Sequence, residues 1–330
     1  MAKCMTDTIN LTSVADAIRT KGGTSAQLIY PSGFVSAIQA IQTGITPKLV
    51  VTTTPGAAIT ATPAEGFKVV KGTAGADGMC TLELPKAGTW HVTAMANSVS
   101  NSQHIVIGTQ NMLLPLYHDT FADNTWEEII AVCRTGIAPD SWAVGDSKTM
   151  NIGGTAYQVD IIGKNHDEYA DGSGTAPLTF QLHDCYSEAK QMYSTNLSGL
   201  GWKNTDMRLT YLPAILALMP AEVQNGIRAV NKKTSEGGNS TTIEMVSDTL
   251  FLLSEVEIFG TASSSVAGEG SQYDYYKAGN PKIKKREGVD EFWWERSSAS
   301  GGMFCRVRAN GQAGASNASN SLGVSFAFCF

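Results

Sequence analysis

The sequence lacks any apolar run that could cross a membrane. No segment of the 330 residues approaches the roughly 18 consecutive apolar residues of a spanning helix, and the first residues, MAKCMTDTIN, contain no signal-peptide stretch. We therefore expect no membrane insertion and no export through a signal peptide.

Charge is scarce as well. Charged residues make up 16% of the chain and hydrophobic residues 42%, which excludes a disordered chain and allows packed cores. The net charge of −6 argues against nucleic-acid binding, which needs a basic face to neutralise phosphates. Residues 297–330 contain no acid and only two basic side chains, Arg306 and Arg308. The chain thus ends in a neutral-to-basic stretch on an acidic domain.

Metal-binding patterns are also missing. The six cysteines form no C-x-x-C pair and the five histidines have no ligand spacing, so we expect no metal and no cofactor. Buried free thiols are the simplest interpretation, and a disulfide between Cys305 and Cys329 stays open. His166-Asp167-Glu168 with Asp171 is interpreted as a polar turn rather than a Ca²⁺ site, because the alternating D-x-D-x-D-G pattern is absent.

What is present indicates an α+β protein of three parts. Residues 1–45 predict two short helices, the first with Leu11, Val14, Ala15 and Ile18 on one stripe and the second starting after Ser32. Residues 46–109 predict a small β-sandwich around Trp90, with strand-like runs separated by glycine and proline turns at 49–54, 57–61, 67–70, 80–84, 90–96 and 104–107.

Residues 110–330 predict the largest unit, of mixed α+β type. Helices are expected at 125–133 and 212–230, the second interrupted by Pro213 and Pro220, and strands at 148–150, 157–162 and 250–253. Lys282, Lys284, Lys285 and Arg286 form a basic run, interpreted as a solvated loop or as a contact to an anionic glycan.

The terminal tract, residues 297–321, has the composition of a flexible linker but flanks that must be buried. Of its 25 residues, 18 are Ser, Ala, Gly or Asn. Phe292-Trp293-Trp294 precedes it, and Phe326, Phe328 and Phe330 follow at period two. Alternation places Cys305 and Val307 inward and Phe304, Arg306 and Arg308 outward, and Asn310-Gly311 predicts a hairpin turn. The tract is therefore expected to be a pinned ribbon that presents small polar side chains, as a paratope does.

Ordered motifs carry a family resemblance over roughly residues 118–330. They are DSKT at 146–149, IIG at 161–163 with His166-Asp167, DGSG at 171–174, Gly201-Trp202 with Met207-Arg208, LLSEVE at 252–257, WWERS at 293–297, Phe304-Cys305, and Gly323-Val324 with Phe328-Cys329. Together they resemble an uncharacterised C-terminal domain of phages and prophages of gut bacteria, itself similar to the formylglycine-generating-enzyme branch of the C-type lectin-like fold. Residues 1–45 resemble phage tail-protein N-termini, and the middle domain is similar to Ig-like or carboxypeptidase-regulatory-like modules.

The resemblance also implies which residues face a ligand, since some proteins with this ending are variable proteins of diversity-generating retroelements. The implied framework is Trp293, Trp294, Arg296, Phe304, Cys305, Gly311, Gly323, Val324 and Phe328. The implied ligand-binding positions are Ala299, Ser300, Gly301, Gly302, Met303, Arg306, Arg308, Gln312, Ala313, Ala315, Ser316, Asn317, Ser325 and Ala327. Phe304 is framework in this pattern, against the alternation, and we follow the family there.

The function expected from the resemblance is recognition without catalysis. A phage-tail receptor-binding protein would be made in the bacterial cytoplasm, attach to the virion through residues 1–45, and bind a bacterial surface protein or glycan. Other tail proteins and a homotrimer are the expected partners. The alternatives are a structural virion or baseplate protein and an enzyme acting on surface glycans, although no carboxylate pair stands out for the latter.

Overall fold

A computed structural model describes residues 8–22, 27–28, 34, 46–66, 68–96, 99–238 and 240–330. Helix α1, Thr8–Gly22, confirms the first predicted helix. Ala15 and Ile18 pack with Phe34 in a small cluster. Val14, predicted on the same stripe, is exposed. Apart from Phe34, the second predicted helix lies outside the described residues. None of the helices in these ranges is long and apolar enough to span a membrane.

Seven strands form a β-sandwich after this helix. They are β1 Lys48–Thr52, β2 Ala58–Pro63, β3 Val70–Thr73, β4 Met79–Glu83, β5 Gly88–Ala96, β6 Val99–Ile107 and β7 Met112–Pro115. The sheets β4-β1-β7 and β3-β2-β5-β6 enclose one apolar core, and Trp90 is buried in it as predicted. Alternating burial along β4 and β5 is what a sheet with one buried face requires.

The sandwich extends beyond residue 109, where the sequence analysis placed its end. Strand β7 pairs in parallel with β1, with Leu49 opposite Met112, and Leu114 and Leu116 join the sandwich core. The composition between β6 and β7 shows no linker-like change, so the boundary could not be read from it.

The larger unit is mixed α+β with sheets predominating, which confirms the predicted class. Its strands are β8 Ser147–Ile152, β9 Thr155–Lys164, β10 Leu178–Leu182, β11 Val230–Ser235, β12 Ile243–Asp248, β13 Lys284–Arg286, β14 Val289–Glu291, β15 Trp293–Ser298, β16 Met303–Val307, β17 Ala313–Asn317 and β18 Ala327–Cys329. Its helices are α2 Trp126–Arg134, α3 Leu212–Leu216, α4 Ala221–Gly226, α5 Glu255–Phe259 and α6 Asp274–Lys277, with short helical turns at Phe121–Asp123, Trp202–Asn204 and Met207–Tyr211.

Helix α2 confirms one helical prediction, and the segment 212–230 corrects the other. A capping box between Thr125 and Glu128 starts α2. Pro213 does not interrupt a helix, because it lies in the first turn of α3, where its missing N–H costs no hydrogen bond. Pro220 separates α3 from α4, and Val230 begins strand β11 instead of ending a helix.

The last strand lies inside the larger unit rather than on its surface. Strand β18 pairs with β10 in the sheet β18-β10-β9-β8, and Phe251 bridges to Ala327 from outside that sheet. The ring of Phe328 stacks on Phe180 at 5.3 Å between centroids. Residues 323–330 are therefore all buried, and they form one wall next to the terminal tract.

Candidate functional site

The base of the terminal tract is strand β15, whose side chains are fixed by buried hydrogen bonds. Trp293 Nε1 donates to Lys282 O at 2.9 Å, and Trp294 Nε1 donates to Lys190 O at 2.8 Å. Both indoles are fully buried, so the strand cannot shift without breaking these bonds and opening the core.

Arg296 adds an ionic anchor to the same strand. Its guanidinium forks onto both carboxylate oxygens of Glu257, with Nη2 to Oε1 at 2.9 Å, and also donates to the carbonyl of Leu252 at 3.0 Å. Lys232 Nζ approaches the same carboxylate at 2.8 Å and Asp167 Oδ1 at 2.6 Å. Although burial opposes ionisation, Lys232 holds the pKa of Asp167 at about 2. Paired buried charges therefore hold β15 in place.

A tight hairpin stands on this base. Strands β16 and β17 pair antiparallel, Arg308 N donates to Gln312 O at 2.7 Å, and Gly311 takes a φ of +80° in the turn. This confirms the hairpin predicted at Asn310-Gly311. A residue with a Cβ would be strained at that φ.

The tract is held along its length. Ser198 Oγ donates to Ala299 O at 2.9 Å, Ala318 N donates to Gly302 O at 3.1 Å, and Ser319 Oγ donates to Asn196 Oδ1 at 2.6 Å. The expectation of a pinned ribbon, against the linker-like composition, is confirmed.

The predicted ligand-binding residues of the hairpin do not share one surface. Residues directly opposite each other in an antiparallel pair point to the same face. Met303, Ala313, Ala315 and Asn317 therefore share a face with buried Cys305 and Val307. Arg306, Arg308 and Ser316 lie on the other face, which we call the arginine face, together with Gly314. Gln312 lies in the turn, and Ser300, Gly301 and Gly302 lie in the loop between β15 and β16.

Four predicted ligand-binding residues, Ala299, Ser316, Ser325 and Ala327, are not on the surface, and the prediction is wrong for them. Ala299 is buried where its carbonyl meets Ser198. Ser325 is buried and its Oγ donates to Leu182 O at 2.9 Å, while Ala327 is enclosed between β10 and Phe251. A ligand arriving from solvent cannot touch a strand that is covered on both sides.

The framework positions are buried as the resemblance implies, except for Gly311, which is partly exposed in its turn. Phe304 lies against Tyr193, with ring centroids 6.1 Å apart, so the family pattern is right and the alternation wrong at this residue. Strand β16 is covered on both faces at Phe304 and Cys305, whereas Met303 before them and Arg306 after them are partly open to solvent. Alternation could not reveal that change along the strand.

The arginine face carries two guanidinium groups and one half-open aromatic ring. Arg306 Cζ lies 4.2 Å from the ring centroid of Phe292, and its Nε donates to Ala315 O at 3.1 Å. Sequence analysis missed Phe292 and Gly314 as parts of this face. Counting back across the Asn310-Gly311 turn would have found Gly314 opposite Arg306.

The thiols offer no nucleophile in the described part of the chain. Cys80, Cys133, Cys185, Cys305 and Cys329 are free and buried, as interpreted from the sequence, and Cys4 lies outside the described residues. The open possibility of a Cys305–Cys329 disulfide is excluded, because the two lie in different sheets. Burial raises the pKa of both thiols, and the nearby carboxylates of Glu295 and Asp167, respectively, add to the effect. Thiolates, the reactive form, are therefore disfavoured at both positions.

Two other polar clusters are structural. In the His166–Asp171 segment, Asp167 is occupied by Lys232, Thr179 and Tyr273, and the described residues contain no group of three or more side chains arranged to hold a metal ion. In the basic run, Lys284 is buried and donates to the carbonyls of Leu182 and His183. Burial lowers the pKa of Lys284 to about 8. The run is therefore neither a fully solvated loop nor a continuous basic surface.

Comparisons with known proteins give the terminal half a family description but no function. A family model described as a domain of unknown function, DUF6273, matches residues 179–330, which run from β10 through the hairpin to the last residue. No curated protein matches the chain. No solved structure matches it either.

Proposed function

We propose that this chain is a non-enzymatic ligand-binding protein of a phage tail, and that its terminal hairpin presents the binding surface. The observation that carries the proposal is a rigidly held hairpin whose outer end is exposed. Arg308 and Gln312 are open to solvent there, and Asn317 is exposed at the other end of β17, while β15 in the same sheet is fully buried. A fixed scaffold that displays short side chains lowers the entropy lost on binding.

The finer fold belongs to the same proposal: an Ig-like sandwich followed by a C-type lectin-like domain. Its support is the sequence resemblance together with the burial of the residues that the resemblance assigns to the framework. The rest of the proposal is that residues 1–45 attach the protein to the virion and promote trimers, so that several hairpins act together with increased avidity.

Binding rather than catalysis is favoured by the state of the reactive groups. Cys305 and Cys329 are buried, and His183 Nδ1 pairs with Asp160 Oδ2 at 2.8 Å instead of with the neighbouring Cys185. Burial raises the pKa of the Cys185 thiol to about 12. A structural virion or baseplate role and a surface-glycan enzyme are the competing functions.

The test is binding of the full chain to a panel of gut bacterial strains, followed by the triple variant Arg306→Ala, Arg308→Ala, Asn317→Ala. We expect binding to at least one strain and a loss of roughly tenfold or more in affinity, since a few exposed residues carry most of the energy of an interface. The matched control is Gln110→Ala, Lys68→Gln, Lys277→Gln, which also changes three exposed side chains and removes two positive charges.

Failure to bind any strain, combined with binding to purified virions, would favour the structural role. Hydrolysis of a surface glycan would favour the enzyme. A reverse-transcriptase gene beside a near-copy of the last coding bases is the genomic observation expected if the exposed positions are diversified.

A further inference from the structure

Two positive charges on the arginine face lack any countercharge. Arg306 is half-buried near the end of β16, Arg308 is exposed just after it, and neither forms an ion pair with a described residue. The nearby carboxylate, Glu291, is already held by Arg286, with Nη2 to Oε2 at 2.7 Å. Residues 297–330 contain no acid that could compensate them.

Arg306 is fixed in position by contacts that leave its outer edge open. Its Nε donates to Ala315 O, and one face of the guanidinium lies on the Phe292 ring. A guanidinium has five N–H donors, so the terminal groups remain for another partner. A flat guanidinium held in this way loses little freedom when it binds an oxyanion through two parallel hydrogen bonds.

Arg308 reaches the same place because residue 314 is glycine. A Cβ added at Gly314 would lie 2.8 Å from Arg308 Nε and 3.4 Å from its Cγ. Any side chain at 314 would therefore push Arg308 away from the strand. Within the described residues, Arg308 makes no side-chain hydrogen bond of its own, so all of its donors are available.

Holding two cations side by side is unfavourable unless an anion lies between them. Partial burial lowers the pKa of Arg306, and the charge of Arg308 lowers it further. The second effect is the electrostatic repulsion between the two cations. Protein surfaces commonly place an acid between such neighbours, whereas here the contacts to Phe292, Ala315 and Gly314 keep them together without one. An external oxyanion would relieve the repulsion.

We propose that Arg306 and Arg308 bind the carboxylate or phosphate group of an acidic saccharide, positioned by Phe292 and by the glycine at 314. This inference rests on the proposed function, because it names the ligand class of the same hairpin. A saccharide fits better than a protein partner since the face offers a single partly exposed aromatic ring, Phe292, next to Arg306, and exposed amides at Asn310 and Gln312 in the adjoining turn. A stable protein interface needs roughly 1,200 Å² or more with several aromatic anchors.

The experiment is calorimetric titration of the full chain with four probes. These are a glucuronate-containing oligosaccharide, a phosphorylated mannose oligosaccharide, a neutral maltooligosaccharide and an acidic hexapeptide. We expect binding of one or both charged saccharides, weakening as salt is raised, and no binding of the neutral one. The charged saccharide that binds identifies carboxylate or phosphate as the group recognised.

Three variants locate the site. Arg306→Gln with Arg308→Gln should weaken saccharide binding roughly tenfold or more, since each removes a charge-assisted hydrogen bond. Gly314→Ala should weaken it with no change in charge. Gly108→Ala, an exposed glycine outside the hairpin with no neighbour within 4 Å of an added Cβ, and the pair Lys68→Gln, Lys277→Gln should leave it unchanged. Thermal unfolding of each variant checks that the fold is kept.

The failures can be told apart. If the chain binds cells through the hairpin but the neutral saccharide binds equally well, or the arginine variants bind as the parent does, the acidic-saccharide inference is overturned and the proposed function stands. Binding of the hexapeptide alone overturns it in favour of a protein ligand. If neither cells nor any saccharide is bound, both the inference and the proposed function are wrong.

Discussion

The two large cores of this protein differ in what they bury. The sandwich core is apolar around Trp90, and among the residues that the structure describes between 46 and 116 the only buried polar ones are Thr52 and Thr53. The core of the larger unit instead contains charges of both signs, led by Arg296 and Lys232. The sandwich is thus specified by a repeating apolar pattern, whereas the larger unit depends on particular polar pairs that must meet in three dimensions.

This difference decides where the hairpin gets its rigidity. Arg296 belongs to β15, Glu257 to α5 and Lys232 to β11, so one ionic cluster ties three elements under the hairpin. Tyr273 Oη completes it, at 3.0 Å from Lys232 Nζ. Because every charge in the cluster has partners, each side chain is stabilising only while the others are present.

The largest expected effect is removal of one charge from this cluster. Arg296→Met leaves the Glu257 carboxylate buried with half of its partners, and we expect a loss of about 3–5 kcal/mol in the free energy of unfolding. Urea titration in a Trp90→Phe background measures it, because the five remaining tryptophans all lie in the larger unit. Lys277→Met, at an exposed position, is the control. A loss no greater than that of the control would show that the cluster does not stabilise the fold.

A second, smaller effect comes from Glu295, whose two carboxylate oxygens are buried without a hydrogen-bond partner. Burial, together with the nearby Glu255 and Glu269, raises its pKa well above the ordinary 4.5. The folded state therefore keeps a proton that the unfolded state releases. This contribution to stability is fully present below about pH 4.5 and is lost as the pH rises towards the folded-state pKa.

Glu295→Gln should remove this pH dependence, because the amide is neutral throughout. We expect the variant to gain about 1–3 kcal/mol over the parent at pH 8, because the folded parent must keep a proton that the unfolded chain releases, and each unit by which a pKa is raised costs about 1.4 kcal/mol. Urea titrations of parent and variant between pH 5 and 8 measure it. Lys284, with a pKa lowered to about 8, also titrates near the top of that range, but it contributes equally to both proteins. Glu236→Gln, at an exposed acid, is the control. A fall in stability between pH 5 and 8 that is as large in Glu295→Gln as in the parent would contradict the assignment.

The same difference explains how much the sequence could reveal. Strand-like runs between glycine and proline turns predicted β1, β2, β4 and β5 closely, because each of these strands is short and bounded by turns. The sequence prediction failed at β18. Ala327 is buried there because both faces of the strand are covered, and nothing in the size or polarity of alanine predicts this. No short-range pattern marks a strand of this kind.

At the hairpin, local chemistry was predictable and long-range pairing was not. Asn310-Gly311 predicted the turn, and the two arginines were correctly expected to point outward. The partner of Arg296 could not be found, since Glu257 lies 39 residues away and nothing in the sequence links the two. Phe292 was predicted to be buried together with Trp293 and Trp294. Its side chain is instead 37% exposed, and the guanidinium of Arg306 packs on its ring.

The smallest expected effect tests the apolar side of the comparison. Ile59→Val removes one methylene from the sandwich core, and we expect a loss of about 0.5–1.5 kcal/mol. The titratable side chain in the described part of the sandwich core is the Cys80 thiol, and burial raises its pKa further above an ordinary value that already exceeds pH 8, so the loss should be equal at pH 5 and pH 8. Hydrogen exchange of amides in β2 and β5, followed by mass spectrometry, measures it separately from the amides of β10 and β15. A pH-dependent loss would mean that a titrating group acts on the sandwich. An equal loss of protection in β10 and β15 would mean that the two cores unfold as one, in which case the ionic cluster of the larger unit also stabilises the sandwich.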